Sequence, residues 1–214
     1  ERLGLVPPLD VEWVWHVHLL APTKYRRDIS KVLGIDANSP AMIDHRLKSS
    51  SERQTGKAKA KALWPAGEVF DIEKDLAKEP LVDDNVAAGN RASKIEYDIP
   101  SAAARQMTFN YQVLLPQYRD TWFLERATRD YLDKFLELKR RRPEGFWVPT
   151  YYIDIAWHTH QLHHVDYINE TTKLCGAVLP HDDDVTDRSK GSKLTTSWEA
   201  TVEAWEEEFN EHPL

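Results

Sequence analysis

Four positions in this chain pair a carboxylate with an imidazole at helical spacing: Glu12 with His16, and Asp154 with His158. On a helix, residues four apart stand one turn above each other, so each pair shares a face. Carboxylate oxygens and imidazole nitrogens together are ligands for zinc, iron or manganese. A site built from both pairs, with one coordination position left open, would support hydrolytic or oxidative chemistry. The histidine of each pair belongs to a Trp-His-x-His word, Trp15-His16-Val17-His18 and Trp157-His158-Thr159-His160. The two histidines of a word point to different faces, so the word is not a chelate within one helix, unlike a His-x-x-x-His pair. Glu12, His16, Asp154 and His158 are therefore the metal candidates. His18, His160, Trp15 and Trp157 are the candidates to bind a cofactor or orient the ligands. Two plainer readings stand beside this one. Each acid can simply orient its own histidine while the tryptophans pack as core, or the faces can line a ligand pocket that holds no metal.

The two words are separated by 142 residues, and the same offset pairs Pro7 with Pro149, Leu20 with Leu162, Tyr25 with Tyr167, Lys31 with Lys173 and Gly34 with Gly176. Tryptophan and histidine are rare, so the match reads as an internal duplication. The expected fold is mostly α, one domain over residues 1–214, with pseudo-twofold repeats at about 1–38 and 115–180.

The elements that must position these residues can be read from punctuation and periodicity. Asp10 caps a helix from about Val11 to Leu20, and Pro22 opens another that ends at Gly34. Ser39-Pro40 looks like the next start. Residues 45–97 carry Ser49-Ser50-Ser51, Lys57 to Lys61 and Trp64-Pro65, lack a clear apolar face, and read as a less ordered connection. Ser101 caps a helix through about Tyr111. The longest helix runs from Asp120 to about Arg141, with Trp122, Phe123, Ala127, Tyr131, Phe135 and Leu138 on one face. The second motif helix begins near Tyr151, with a further helix over Tyr167 to Leu174. His181-Asp182-Asp183-Asp184 reads as a solvated turn, although, with His163 and His164, it makes the second half the richer in polar groups. Thr195 to Asn210 closes the chain with Trp198, Val202, Trp205 and Phe209 facing inward. No stretch alternates as a strand does.

Composition limits the partners. The net charge is −7, which argues against nucleic acid, since phosphate binding needs a basic face. The one basic run, Lys139 to Arg142, suits the negative end of the long helix. Cys175 is the single cysteine, which excludes an intrachain disulfide and fits an intracellular setting; its apolar surroundings suggest an inert thiol. No apolar run reaches membrane-spanning length. The small-molecule or protein partner cannot be read from composition.

The segment Leu9-Asp10-Val11-Glu12-Trp13-Val14-Trp15-His16-Val17-His18, with Pro22 and Tyr25, resembles the first motif of the glycine-rich domain-containing protein family. Val148-Pro149-Thr150-Tyr151 and Ile153-Asp154-Ile155-Ala156-Trp157-His158-Thr159-His160-Gln161-Leu162 resemble its second. Leu179 with His181-Asp182-Asp183 is similar to the next family segment, and Tyr111-Gln112-Val113 and Phe123 to Ala127 also match. His164 stands where the family pattern has proline. The resemblance implies a named domain and no particular reaction.

The reading reached from the sequence is a helical metal-binding protein with a His/acid site between two duplicated helices, and in its sharper form a metal-dependent enzyme. The alternative is a non-catalytic interaction module with a structural Trp/His/acid network. The duplication also carries an expectation beyond the chain, which begins at Glu1 and reads as a trimmed piece. In the second half the motif helix comes after a long amphipathic helix. The first-half face of Val11, Val14 and Trp15 needs similar cover, because exposed apolar area costs about 25 cal/mol per Å². A further amphipathic helix is expected upstream of Glu1, with apolar residues at positions equivalent to Phe123, Ala127, Tyr131 and Phe135. The full-length coding sequence checks this: a polar low-complexity leader, or a start codon directly before Glu1, would refute it.

Overall fold

The computed structural model describes residues 5–7, 9–36, 45, 48–63 and 94–213. Among them the regular structure is helical, with eight helices and no strand. α1 spans Leu9–Leu19 and α2 Pro22–Leu33. α3 spans Ser50–Leu63 and α4 Ile99–Val113. A short 3₁₀ turn, Pro116–Arg119, leads into α5. α5 is continuous through an α-helical stretch Thr121–Asp130, a π-helical turn Tyr131–Phe135 and a second α-helical stretch Leu136–Arg141. The chain then forms α6, Tyr151–Leu162, α7, His164–Cys175, and α8, Lys193–Phe209.

Two helix hairpins organise the chain, α1–α2 and α6–α7. Their starts coincide at the 142-residue offset: Leu9 with Tyr151, and Pro22 with His164. Their second helices both end on a left-handed glycine, Gly34 at φ 65° and Gly176 at φ 79°. Both positions need a residue without Cβ strain at positive φ, which is why the glycines recur. In each hairpin the motif tryptophan donates to the tyrosine ten residues on. Trp15 Nε1 reaches the Tyr25 hydroxyl at 3.4 Å, and Trp157 Nε1 reaches that of Tyr167 at 2.9 Å.

The other helices cover these hairpins. α1 touches α6, α4 packs on both, and α5 lies along α6. The main core joins α5, α6, α7 and α8 through Tyr131, Phe135, Ile153, Trp157, Tyr167 and Trp205. Truncating one such aromatic to alanine costs about 3–5 kcal/mol. Phe135, at the end of the π turn, and its neighbour Leu136 both face inward, 0% and 4% exposed.

Several expectations change. Asp98 caps α4 by accepting from Ser101 N at 3.2 Å, so Ser101 is inside the helix. The compact carboxylate one turn earlier won the cap. α7 starts at His164, not Tyr167. Part of the stretch read as less ordered forms α3, whose first turn is held by Ser49 and Glu52 bonding reciprocally. Ser39-Pro40, Trp64-Pro65 and residues 66–93 lie outside the described residues. Trp122 is 63% exposed, because α5 turns its Phe123 inward instead. Val11 and Val14 remain 37% and 47% exposed, whereas Ile153, the counterpart of Val11, is 1% exposed beneath α5.

His164 joins the hairpins. Its ring meets Tyr25 edge-on at 4.8 Å, and neither ring nitrogen has a hydrogen-bond partner among the described residues. Burial first, then the charges of Arg26 and His18, lower its pKa to about 4. The neutral ring therefore stabilises the fold fully above its unfolded pKa near 6.5, and that contribution is lost as pH falls toward 4. Between pH 7 and pH 5 this residue alone should remove about 2 kcal/mol of stability. In urea titrations His164→Leu should flatten the pH dependence by about that amount; an unchanged slope would contradict the assignment.

Candidate metal centre

α6 opens at Thr150, whose hydroxyl caps Ile153 N. This sets the phase that turns Asp154 and His158 to one side. A third group joins them from the segment after α7: His181. His158 Nε2 lies 3.5 Å from Asp154 Oδ1 and 3.3 Å from His181 Nε2, and His181 Nε2 lies 3.9 Å from Asp154 Oδ1. Ligand atoms bound at 2.0–2.2 Å to a tetrahedral ion stand about 3.4 Å apart. The three atoms thus match the edges of such a site, and they form the group of potential ligands found among the described residues.

The segment carrying His181 is tied down on both sides. The Tyr167 hydroxyl, which accepts from Trp157, donates to the Leu179 carbonyl at 2.8 Å. His181 Nδ1 donates to the Leu20 carbonyl at 2.8 Å. That bond leaves the Nε2 lone pair of a neutral ring facing Asp154 and His158, an arrangement common to metal-binding histidines. The motif tryptophan therefore positions the third group through Tyr167, and its own ring meets His181 edge-on at 4.8 Å. Phe109 of α4 lies against His158 at 4.2 Å between ring centres.

Electrostatics sharpen the picture. Asp154 Oδ1 is buried and accepts no hydrogen bond. Burial raises the Asp154 pKa to about 7, opposed by the charge of Lys139. Burial also holds His158 well below its usual range, helped by the charges of His181 and His16. His181 is lowered chiefly by burial as well. Burial thus favours the neutral imidazole at both His158 and His181, the form that can ligate a metal. A cavity of about 1200 Å³ opens beside it, lined by all three residues together with Lys139, Trp157 and Phe109. Lys139 Nζ lies 4.7 Å from the Trp157 ring centre and 4.9 Å from that of Phe135, and burial pulls its pKa down to about 8.

The other first-choice pair is built differently. Glu12 and His16 do not join Asp154 and His158 in one four-ligand shell; they meet His45 instead. Glu12 Oε1 is 3.4 Å from His45 Nε2, and both Glu12 oxygens accept from Arg53 of α3 at 3.2 Å. Burial, then the His45 charge, lowers His16 to about 4, with Glu12 opposing. His18 and His160 face away from both sets. His18 Nε2 lies 3.3 Å from the buried Asp28 carboxylate, which also accepts from Tyr97 N at 3.1 Å. His160 lies between the Tyr131 hydroxyl at 2.9 Å and Glu170 at 3.1 Å. Trp15 packs against His45 at 5.2 Å, while Trp157 lines the cavity.

Two sequence expectations are corrected. The segment at 181–184 is not wholly a solvated turn: His181 is buried, and Asp183 accepts from the Tyr97 hydroxyl and Arg105. Only Asp182 and Asp184 fit the expected exposure. The basic run is likewise split. Arg140, Arg141 and Arg142 pair with Glu137, Glu207 and Glu208 outside, but Lys139 turns to the cavity, four residues past Phe135 on the same face. Cys175 is half-buried with its thiol pKa raised by burial, in keeping with an inert role. His45 carried no signal in the sequence; for His181 the signal was the likeness of Leu179 and His181-Asp182-Asp183 to a family segment.

No solved structure matches this chain. The family model described as glycine-rich domain-containing protein-like matches residues 32–170. Glycine-rich domain-containing protein 2 of Arabidopsis thaliana is 38% identical over 212 residues, covering 96% of this chain and 26% of that protein. Glycine-rich domain-containing protein 1 of the same plant is 37% identical over 212 residues, covering 96% and 25%. The chain thus spans about a quarter of the length of these relatives. On a match of this extent and identity, the chain belongs to the glycine-rich domain-containing protein-like family.

Proposed function

We propose that this chain is a metal-binding helical domain in which Asp154, His158 and His181 hold one divalent transition metal. The observation that carries the reading is the buried, partnerless Asp154 oxygen facing two imidazole nitrogens at 3.5 and 3.9 Å. Two histidines and one carboxylate leave coordination positions for water or substrate, which suits zinc, and after it iron or manganese. With the cavity alongside, the metal would serve as a Lewis acid in a metal-dependent reaction. Lys139 would supply positive charge for an anionic part of the substrate. The paired hairpins are then two copies of one unit, of which the second carries the chemistry.

A second reading, an interaction module without metal, is favoured by a different observation. Met107, Tyr111, Leu114, Leu115 and Trp122 are exposed around the end of α4 and the start of α5, with Tyr111 at 73%. Such apolar exposure commonly marks a contact surface. Among the described residues no helix is long and apolar enough to cross a membrane.

Metal analysis of untagged protein, equilibrated with zinc and desalted, separates the two readings. About one equivalent is expected for the native chain, and His181→Ala should bind at least roughly tenfold more weakly, by comparison with losses known even for outer-shell changes. Less than a tenth of an equivalent of zinc, iron or manganese would leave the interaction reading standing.

Asp154→Asn tests the carboxylate. Metal affinity should fall by roughly ten- to a hundredfold or more. The raised Asp154 pKa means that its burial costs most above pH 7 and nothing below its unfolded value near 3.8. The metal-free variant should therefore be more stable than the metal-free native chain at pH 8, on the order of 2 kcal/mol, with the gain vanishing toward pH 4. Unchanged metal affinity with unchanged stability would contradict both statements.

A further inference from the structure

Four basic residues follow one another at the end of α5, and glutamates take three of them. Arg140 and Arg141 meet Glu137, Arg141 also meets Glu208, and Arg142 meets Glu207 and Glu208. Lys139 has no carboxylate within ion-pair distance among the described residues. Its ammonium rests instead on two ring faces, 4.7 Å from the Trp157 centre and 4.9 Å from that of Phe135. Such faces hold a cation in place, but they do not replace oxygen acceptors for its three N–H donors. The other cations lining the cavity are already engaged. Arg105 meets Asp183 at 3.2 Å and Asp184 at 2.7 Å. Arg188 is exposed and donates to the Tyr151 hydroxyl at 2.7 Å. Lys139 is therefore the charge that this cavity offers to a ligand.

The wall around that charge is aromatic, with Phe109, Phe146, Trp147, Trp157 and Trp198 among its residues. Trp147 is a fixed part of it. Its Nε1 donates to the Arg142 carbonyl at 2.7 Å, and its indole lies so close over Gly145 that any Cβ there would overlap the ring. Flat rings pack on such a surface edge-on or offset. The charge of Lys139 is felt at Asp154, so the ammonium and the metal-ligand set share one space. One ammonium balances one carboxylate. A phosphate group carries about two charges and is typically met by arginine forks or a helix N-terminus. Lys139 stands in the last turn of α5, where the helix end is itself negative, which disfavours a doubly charged group further. We propose that the cavity takes a monoanionic aromatic acid, with its carboxylate on Lys139, its rings on the aromatic wall and its remaining part directed at Asp154, His158 and His181. This names the substrate class of that centre, and it rests on the reading of the cavity as its substrate pocket.

Calorimetric titration with naphthalene-2-acetate and its neutral amide, naphthalene-2-acetamide, tests this on the native chain, with and without zinc, and on Lys139→Met. The native chain should bind the acid at least roughly tenfold more tightly than the amide. That preference should persist without zinc. Lys139→Met should lose it while still binding the amide. Equal affinity for acid and amide in the native chain would overturn the proposal. So would no binding of either compound at millimolar concentration, or a preference kept by a folded Lys139→Met chain, since the carboxylate would then sit elsewhere. If Lys139→Met loses helix content by circular dichroism, labelling of the native chain with acetic anhydride decides. The acid, and not the amide, should shield Lys139 relative to the exposed Lys190 when both are followed by mass spectrometry; equal labelling with either compound would overturn the proposal. A Lys139-dependent preference in a chain that takes up no zinc would uphold the acid site while sinking the reading of Asp154. One bound zinc ion with no preference for the acid would do the reverse.

Discussion

A carboxylate oxygen of Asp154 is buried without a hydrogen-bond partner beside two imidazoles that burial keeps neutral, and the second half of this chain is built around that set. Burial makes the charged carboxylate costly, which is why the Asp154 carboxyl rises to about 7, with the charge of Lys139 opposing. A divalent ion would offset that cost, because it satisfies the carboxylate and both imidazoles at once and favours their deprotonated forms. Burial, which makes the metal-free set costly, is the same property that would make it bind. Lys139 is too far to pair with Asp154 and instead leans on the aromatic rings of Phe135 and Trp157.

The fold serves to hold that set in place. The phase of α6 comes from the Thr150 cap, and His181 is fixed by two hydrogen bonds reaching from different hairpins. One of these begins at the motif tryptophan and passes through Tyr167 to Leu179. The recurring Trp-His word therefore joins two jobs on adjacent residues: one presents an imidazole, and the other braces the segment that brings the next one. The outward histidines do a third job. His18 and His160 meet Asp28 and Glu170, equivalent acids on the second helix of each hairpin, and so tie motif helix to partner helix.

Much of this could be read from residue types and spacing. Glycine at positive φ, proline at a helix start and the Trp–Tyr pair are local requirements, so the two hairpins appeared in the sequence at one offset. Asp154 and His158 were legible because a helix makes four-residue neighbours share a face. His181 was harder, because three aspartates come directly after it and a polar run usually means solvent. Its burial depends on Leu20, 161 residues away, and no local rule contains that contact. The inward turn of Lys139 follows the four-residue spacing from Phe135, but a run of four basic residues at a helix end reads as solvent-facing. The pairing of Glu12 with Arg53, 41 residues apart, is a tertiary contact of the same kind as that of His181 with Leu20.

Whether one metal ion is held by Asp154, His158 and His181 is decided most directly by anomalous diffraction at the zinc edge, from crystals of native protein grown with one equivalent of zinc. The strongest anomalous peak is expected between Asp154 Oδ1, His158 Nε2 and His181 Nε2, with bonds of about 2.0–2.2 Å. Three well-ordered side chains with no peak between them, or a peak only elsewhere, would contradict the assignment.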